Sequence, residues 1–261
     1  MRRFSPPATL SGRRCLLIAV TDSEPSPILP TRPRRGFALL SALAGLIAAL
    51  ALAAVAGAQG EDTESIGKTK DTPKPSCPKD PCQAVGSVTG FQTSAGSGKG
   101  LTTVKEAGDL VAWQVNLSKP KGSQREFFGK FYKEEDLGTA PTARIAVLKP
   151  AKEEGDFTLK AQSPVVELSD ELGTKPRFTL DEPISIQKGD IVALTVPTWA
   201  PDFAVDLSSK NVWRASREKG ACENATDIKK GTPQEKVGST RTYGCTYRGA
   251  RIIYSAYYVP S

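Results

Sequence analysis

Lys188-Gly-Asp-Ile-Val-Ala-Leu-Thr-Val-Pro-Thr-Trp-Ala-Pro201 is the stretch that decides the fold. Lys188-Gly189-Asp190 reads as a turn, because Gly and Asp tolerate the backbone angles that a reversal needs. Ile191 to Val196 then form a nearly continuous apolar strand, which predicts burial on both faces rather than on one. Past it, Pro197 and Pro201 bracket Trp199, so the chain is expected to leave the strand there and hold the indole on a proline-braced loop.

Working outward, the same short-strand rhythm recurs. Leu110 to Leu117 alternates, with Val111, Trp113, Val115 and Leu117 expected on one face. Arg144–Lys149, Phe157–Ala161 and Val165–Leu168 read as further strands, and Arg177–Leu180 and Ile184–Ile186 flank Pro183. Phe203, Val205 and Leu207 alternate, and Arg251 to Val259 close the chain as a central strand. One segment reads as a short helix: Ser123-Gln-Arg-Glu126 has the form of a capping box, followed by Phe127, Phe128 and Phe131 at helical spacing. Strands separated by Gly and Pro turns, with no strand–helix–strand rhythm, predict an all-β, antiparallel β-sandwich of jelly-roll type with one short helix.

The N-terminal part has a different character. Gly36 to Ala58 is a run of uncharged residues, entered through Arg32, Arg34 and Arg35 and closed by Ala56-Gly57-Ala58, the small-x-small pattern of signal cleavage. Residues 1–58 therefore read as an export signal with a long n-region, an uncleaved signal anchor being the alternative. Arg34-Arg35 matches a twin-arginine signal in part, since Pro33 precedes the pair. This segment also holds most of the charge. The whole chain is +7, of which residues 59–261 keep only about +2, so nucleic acid is not an expected partner. Residues 59–76 are polar apart from Ile66 and read as a flexible linker, leaving 77–261 as one β-sandwich domain.

An exported chain with four cysteines beyond the signal, Cys77, Cys82, Cys222 and Cys245, reads as a disulfide protein. Three connectivities are open. Cys77–Cys82 and Cys222–Cys245 are favoured, because each pair lies in one local segment and Pro78 and Pro81 bend the first. Zinc is the alternative, weakened by the absence of His.

The stretches Cys82–Phe91, Ala140–Leu148, Ala193–Pro201 and Gly238–Cys245 resemble a group of secreted proteins from high-GC actinobacteria. The resemblance covers about 77–260. It implies a β-sandwich and an extracellular location, and it implies no activity.

The same absence of His excludes Ser-His-Asp and Cys-His catalysis. Ser-x-x-Lys occurs at Ser65, Ser118 and Ser216 without its companion motifs. Gly96-Ser-Gly-Lys99-Gly100 has Thr93 and Gly100 where a phosphate loop needs Gly and Ser/Thr, so it reads as a turn. A carboxylate-pair glycoside hydrolase would draw on Asp190, Asp202 and Asp206 at strand ends. Calcium is the one cofactor on offer, through Asp202 and Asp206. The expected ligand site is Trp199 with Asp202, extended by Trp213, Tyr243 and Tyr247, a flat aromatic surface suited to sugar rings; the competing and favoured reading of Trp199 is that its indole caps the open end of the core. Basic residues in 203–261, among them Lys210, Arg217, Arg241 and Arg251, suit anionic polymers. The expectation is a secreted or cell-surface, non-catalytic binding module for carbohydrate or an anionic envelope polymer. A structural or protein-interaction module of the envelope is the alternative and the hydrolase the third reading. Membrane contact is expected only through an uncleaved N-terminal segment.

Overall fold

The structure, a computed structural model, describes residues 63–261; the expected export signal and the start of the linker lie outside the described residues. The described residues form fifteen strands: β1 (Glu64–Ile66), β2 (Val85–Ala95), β3 (Gly98–Lys99), β4 (Gly108–Val115), β5 (Thr142–Pro150), β6 (Asp156–Gln162), β7 (Val166–Glu167), β8 (Arg177–Ile186), β9 (Ile191–Ala200), β10 (Phe203–Ala204), β11 (Val212–Ala215), β12 (Thr240–Thr242), β13 (Cys245–Arg248), β14 (Arg251–Ile252) and β15 (Tyr254–Pro260). Among the described residues two α-helices interrupt them, α1 (Gly122–Phe131) and α2 (Ala225–Lys230), with a single 3-10 turn at Ser169–Glu171.

One large sheet runs β1-β15-β4-β8, and the other runs β12-β6-β5-β9-β2-β11-β13, with β3 on β2 and β7 on β5; β10 and β14 pair as a small two-stranded sheet. Every strand pairing among the described residues is antiparallel. Setting aside the short strands, the chain visits the two sheets as β1-β15-β4-β8 and β2-β9-β5-β6, the connectivity of a jelly roll. The excursion between β9 and β15 adds β11, β13 and β12 to the flanks of the larger sheet.

β9 is buried at every position, and the reason is three layers rather than two. Val192, Leu194 and Val196 face inward, sharing one core with Leu110, Trp113 and Val115 of β4 and Ala256 and Tyr258 of β15. Ile191 and Ala193 point the other way, into a second cluster with Phe91, Leu148, Phe157, Leu159 and Tyr243. Alternation does the sorting: neighbouring side chains leave a strand on opposite faces.

Several elements differ from expectation. The longest strand, β2, carries Gly86, Thr89, Gly90 and Gln92 and so lacks an apolar signature. Most of its buried polar groups are answered instead: Thr89 shares a hydroxyl–hydroxyl hydrogen bond with Thr195 (2.9 Å), and Gln92 Nε2 donates to the carbonyl of Ser94 (2.8 Å), while Gln92 Oε1 has no partner among the described residues. On β4 the inward residues are Leu110, Trp113 and Val115, with Val111 only half-buried; a bulge between Leu110 and Ala112 shifts the phase. The segment read as linker contains β1, which pairs with β15, and Ile66 is buried in the core. The helix starts earlier than the capping-box reading: its N-cap is Lys121, whose backbone N–H donates to Gln124 Oε1 (2.7 Å). The final strand is broken at Ile253 into β14 and β15. Gly96, at φ 61°, turns β2 into β3, so the phosphate-loop-like stretch is a hairpin.

Both favoured disulfides form, Cys77–Cys82 and Cys222–Cys245. They fit an oxidising compartment. Among the described residues no helix is long and apolar enough to cross a membrane.

Candidate functional site

The structure does not assemble the expected aromatic surface. β9 continues through Pro197 to Ala200, so Trp199 sits in a strand and not on a loop. Its ring lies under α1, 5.4 Å from Phe128 and in one cluster with Cys77, and it is 2% exposed. Trp199 Nε1 donates to the carbonyl of Thr139 at 2.9 Å. A shallow depression beside α1 reaches the edge of the ring, but the flat face that a sugar needs is covered. Tyr243 is also enclosed, between Phe91 and Phe157, with its hydroxyl donating to Gln234 Oε1 (2.9 Å).

Asp202 is fully buried, and neither carboxylate oxygen has a hydrogen-bond partner among the described residues. Burial pushes its carboxyl up to about 8, with only its own backbone amide favouring the charged form. Asp206 is exposed at φ 58°. One acid inside and one outside form no common calcium loop, and no cluster of three or more His, Cys, Asp or Glu occurs among the described residues. Asp190 is taken up by structure as well: its Oδ2 accepts from Lys160 Nζ (2.8 Å) and from the Gln187 amide (2.8 Å), closing the turn into β9. The three aspartates considered for a hydrolase therefore face no shared cleft.

Trp213 and Tyr247 do meet. They are register partners on β11 and β13, and their rings stack at 4.5 Å with 20° between planes. The basic C-terminal set is divided, since Arg217 and Arg251 are buried and Arg241 is spent on the carbonyls of Thr232 and Pro233.

A larger opening lies elsewhere, where the jelly roll parts between β8 of the smaller sheet and β6 and β7 of the larger. It is a cleft of about 780 Å³, within the usual range for ligand sites. Its floor is apolar: Trp113, Phe178, Leu180, Ile184 and Val166. Trp113 and Phe178 are cross-strand partners with ring centroids 4.5 Å apart, which leaves Phe178 as the half-buried face. The cleft exists because β8 does not follow β4 residue for residue. Leu110 pairs with Ile184 and Ala112 with Thr179, so Leu180 to Pro183 balloon outward opposite a single residue of β4. Pro183 has no N–H to give to a ladder, and it sits in the part of the edge strand where none is required.

The rim is polar. Asp181 and Glu182 stand exposed on the β8 wall; the other wall carries half-buried Lys160 and Gln162 and buried Ser163, whose hydroxyl donates to the carbonyl of Pro164 and accepts from the Ile145 amide. Lys160 is held by Asp190. Gln162 donates through Nε2 to the carbonyl of Glu235 (2.7 Å), which leaves its buried Oε1 with no donor. Leu180, Asp181 and Glu182 were not singled out by sequence reading. The one available signal was Pro183 between two apolar half-strands, which marks a bulged edge. Comparison with protein families, with curated proteins and with solved structures gives no match, so geometry and chemistry alone bear on function.

Proposed function

We propose that the chain is an exported, non-catalytic binding module of the cell envelope, and that it takes a carbohydrate in the cleft between its sheets rather than at Trp199. The observation that carries this reading is the cleft itself: an apolar aromatic floor about 780 Å³ in extent beneath a polar rim. A pyranose has the matching anatomy, with C–H groups on one face and hydroxyls around its edge. Phe178, Leu180 and Ile184 receive the C–H face, while Gln162 Oε1, Asp181 and Glu182 accept from hydroxyls. Accepting one such bond removes the cost of leaving Gln162 Oε1 buried and unmatched.

A binding role fits better than hydrolysis. Glycoside hydrolysis needs two carboxyl groups flanking the bond. The carboxylates of this cleft, Asp181 and Glu182, are neighbours on one wall, and the facing wall offers Lys160, Gln162 and Ser163. Strand addition by a protein partner is also poorly served, because Pro183 and two acids occupy the open edge.

The test is a glycan and cell-wall polymer binding screen on the purified, oxidised chain, with Ala161→Trp filling the cleft. Saturable binding that the filled cleft abolishes, with the melting temperature unchanged, supports the reading. Binding that survives Ala161→Trp, or no binding to any polymer, overturns it and moves the protein-interaction role to first place.

A further inference from the structure

A second pocket, of about 180 Å³, lies on the far side of β2 and is independent of the cleft. It is built by four separate parts of the chain. Gln83 to Gly86 form one wall, Tyr132 at the end of α1 another, Ile228 of α2 a third, and the stacked pair Trp213–Tyr247 with Arg217 the fourth. Phe203 backs Trp213 edge-on, with centroids 5.6 Å apart.

Arg217 is the unusual member. It is 6% exposed, yet no carboxylate lines the pocket, and Arg217 makes no salt bridge among the described residues. Its Nη1 donates to Tyr247 Oη (3.1 Å) and its Nη2 to the carbonyl of Gly86 (3.0 Å). Both acceptors are neutral, and the guanidinium carbon lies 5.9 Å from the centre of the Tyr247 ring, so the positive charge meets a π face but no counter-ion. Tyr247 in turn donates to the carbonyl of Cys222 (2.8 Å), which fixes the phenol and with it the guanidinium. Arg217 Nε and Trp213 Nε1 remain, two buried donors with no acceptor; both residues line this pocket, and Arg217 also borders a depression on the side of Glu218 and Gly231. Burial holds the Tyr132 hydroxyl above the usual tyrosine range, with nearby Arg217 offsetting part of the effect.

A buried cation without a counter-ion is costly, and an orphaned N–H adds to that cost. An oxyanion relieves both at once, and guanidinium with indole is a donor set suited to it. We propose that this pocket binds one small oxyanion group, a carboxylate or a phosphate, through Arg217 and Trp213. The volume admits such a group and little more, so the anion is either free or the terminus of a larger molecule. The sequence carries the ingredients in Trp213-Arg-Ala-Ser-Arg217 and Cys245-Thr-Tyr247, and the β11–β13 register brings them together.

The chain has three tryptophans, so their indole N–H resonances report separately by ¹⁵N-correlated NMR. Inorganic phosphate, acetate and glucuronate are titrated into the oxidised chain, with chloride as the ionic-strength control. The expected result is a saturable shift of the Trp213 indole with phosphate or with both carboxylates, while Trp113 and Trp199 stay still. Phosphate alone identifies a phosphate site; glucuronate binding more tightly than acetate identifies an anionic sugar. Arg217→Gln should weaken binding about tenfold or more, the worth of a charge-assisted hydrogen bond. Trp213→Phe keeps the ring, removes the donor and should weaken binding by less, which covers the case in which Arg217→Gln fails to fold. Ala161→Trp should leave the titration unchanged, so failure of the cleft reading and failure of this one are separable. No shift at concentrations on the order of tens of millimolar, or equal binding by the chain with Arg217→Gln, overturns the proposal.

Discussion

Asp202→Asn should stabilise the protein near neutral pH, with a balance that moves in favour of Asn as pH rises. The carboxyl is fully buried, lacks a partner and is pushed up to about 8, against an ordinary value near 4 for an exposed aspartate. Between those two values the folded chain keeps a proton that the unfolded chain has released. Stability contributed by this group is therefore present below about pH 4 and is lost as pH rises toward about 8, at up to roughly 1.4 kcal/mol per pH unit. By about pH 7 the accumulated cost is on the order of 4 kcal/mol. Asparagine has nearly the same shape and never ionises, so it avoids that cost. Its own amide is then buried with few partners, which offsets the gain by roughly 1–3 kcal/mol at every pH. The slope thus carries the test, rather than the absolute value at one pH. Denaturant unfolding of the wild-type chain and of Asp202→Asn at about pH 4.5, 6 and 7.5 should show a difference that shifts steadily in favour of Asn. Among the described residues Tyr254 is a phenol that feels the Asp202 charge, and burial holds it neutral throughout this range. A constant difference, or one that moves toward Asp as pH rises, would show an ionised and paired carboxylate and refute the reasoning.

Two further substitutions test the packing around the candidate sites. Trp199→Ala should cost about 3–5 kcal/mol of stability, because it empties the space beneath Phe128 and orphans the carbonyl of Thr139; glycan affinity of the fraction that stays folded should be unaffected, by parallel unfolding and binding curves. Gly86→Ala places a Cβ 2.5 Å from the Thr198 carbonyl oxygen and 2.6 Å from the Tyr132 ring, so the backbone that accepts from Arg217 must shift. The melting temperature should fall by several degrees, and the Trp213 indole resonance should move in the absence of any added anion.

How far the sequence led depended on whether a signal was local. The strand at Ile191–Val196 was legible because its apolar run is continuous, and its two-sided burial follows from that. The two disulfides were legible from proximity along the chain. The candidate site was not. Trp199 between two prolines looks like a displayed indole, but α1 and the Cys77–Cys82 loop, both distant in sequence, fold over it. Trp213, one aromatic among several in sequence, acquired its neighbours only through the pairing of β11 with β13 and β2.

By itself, the sequence determined the class of the fold: period-two alternation and turn residues act within a few positions, so short antiparallel strands and their disulfide staples can be read from it. Only the tertiary structure decided which side chains are accessible. A β9 side chain is covered or free according to what packs on its face, and those layers come from residues tens to more than a hundred positions away. The cleft likewise arises where Leu180–Pro183 fall out of register with β4, a mismatch between two strands that neither strand records alone.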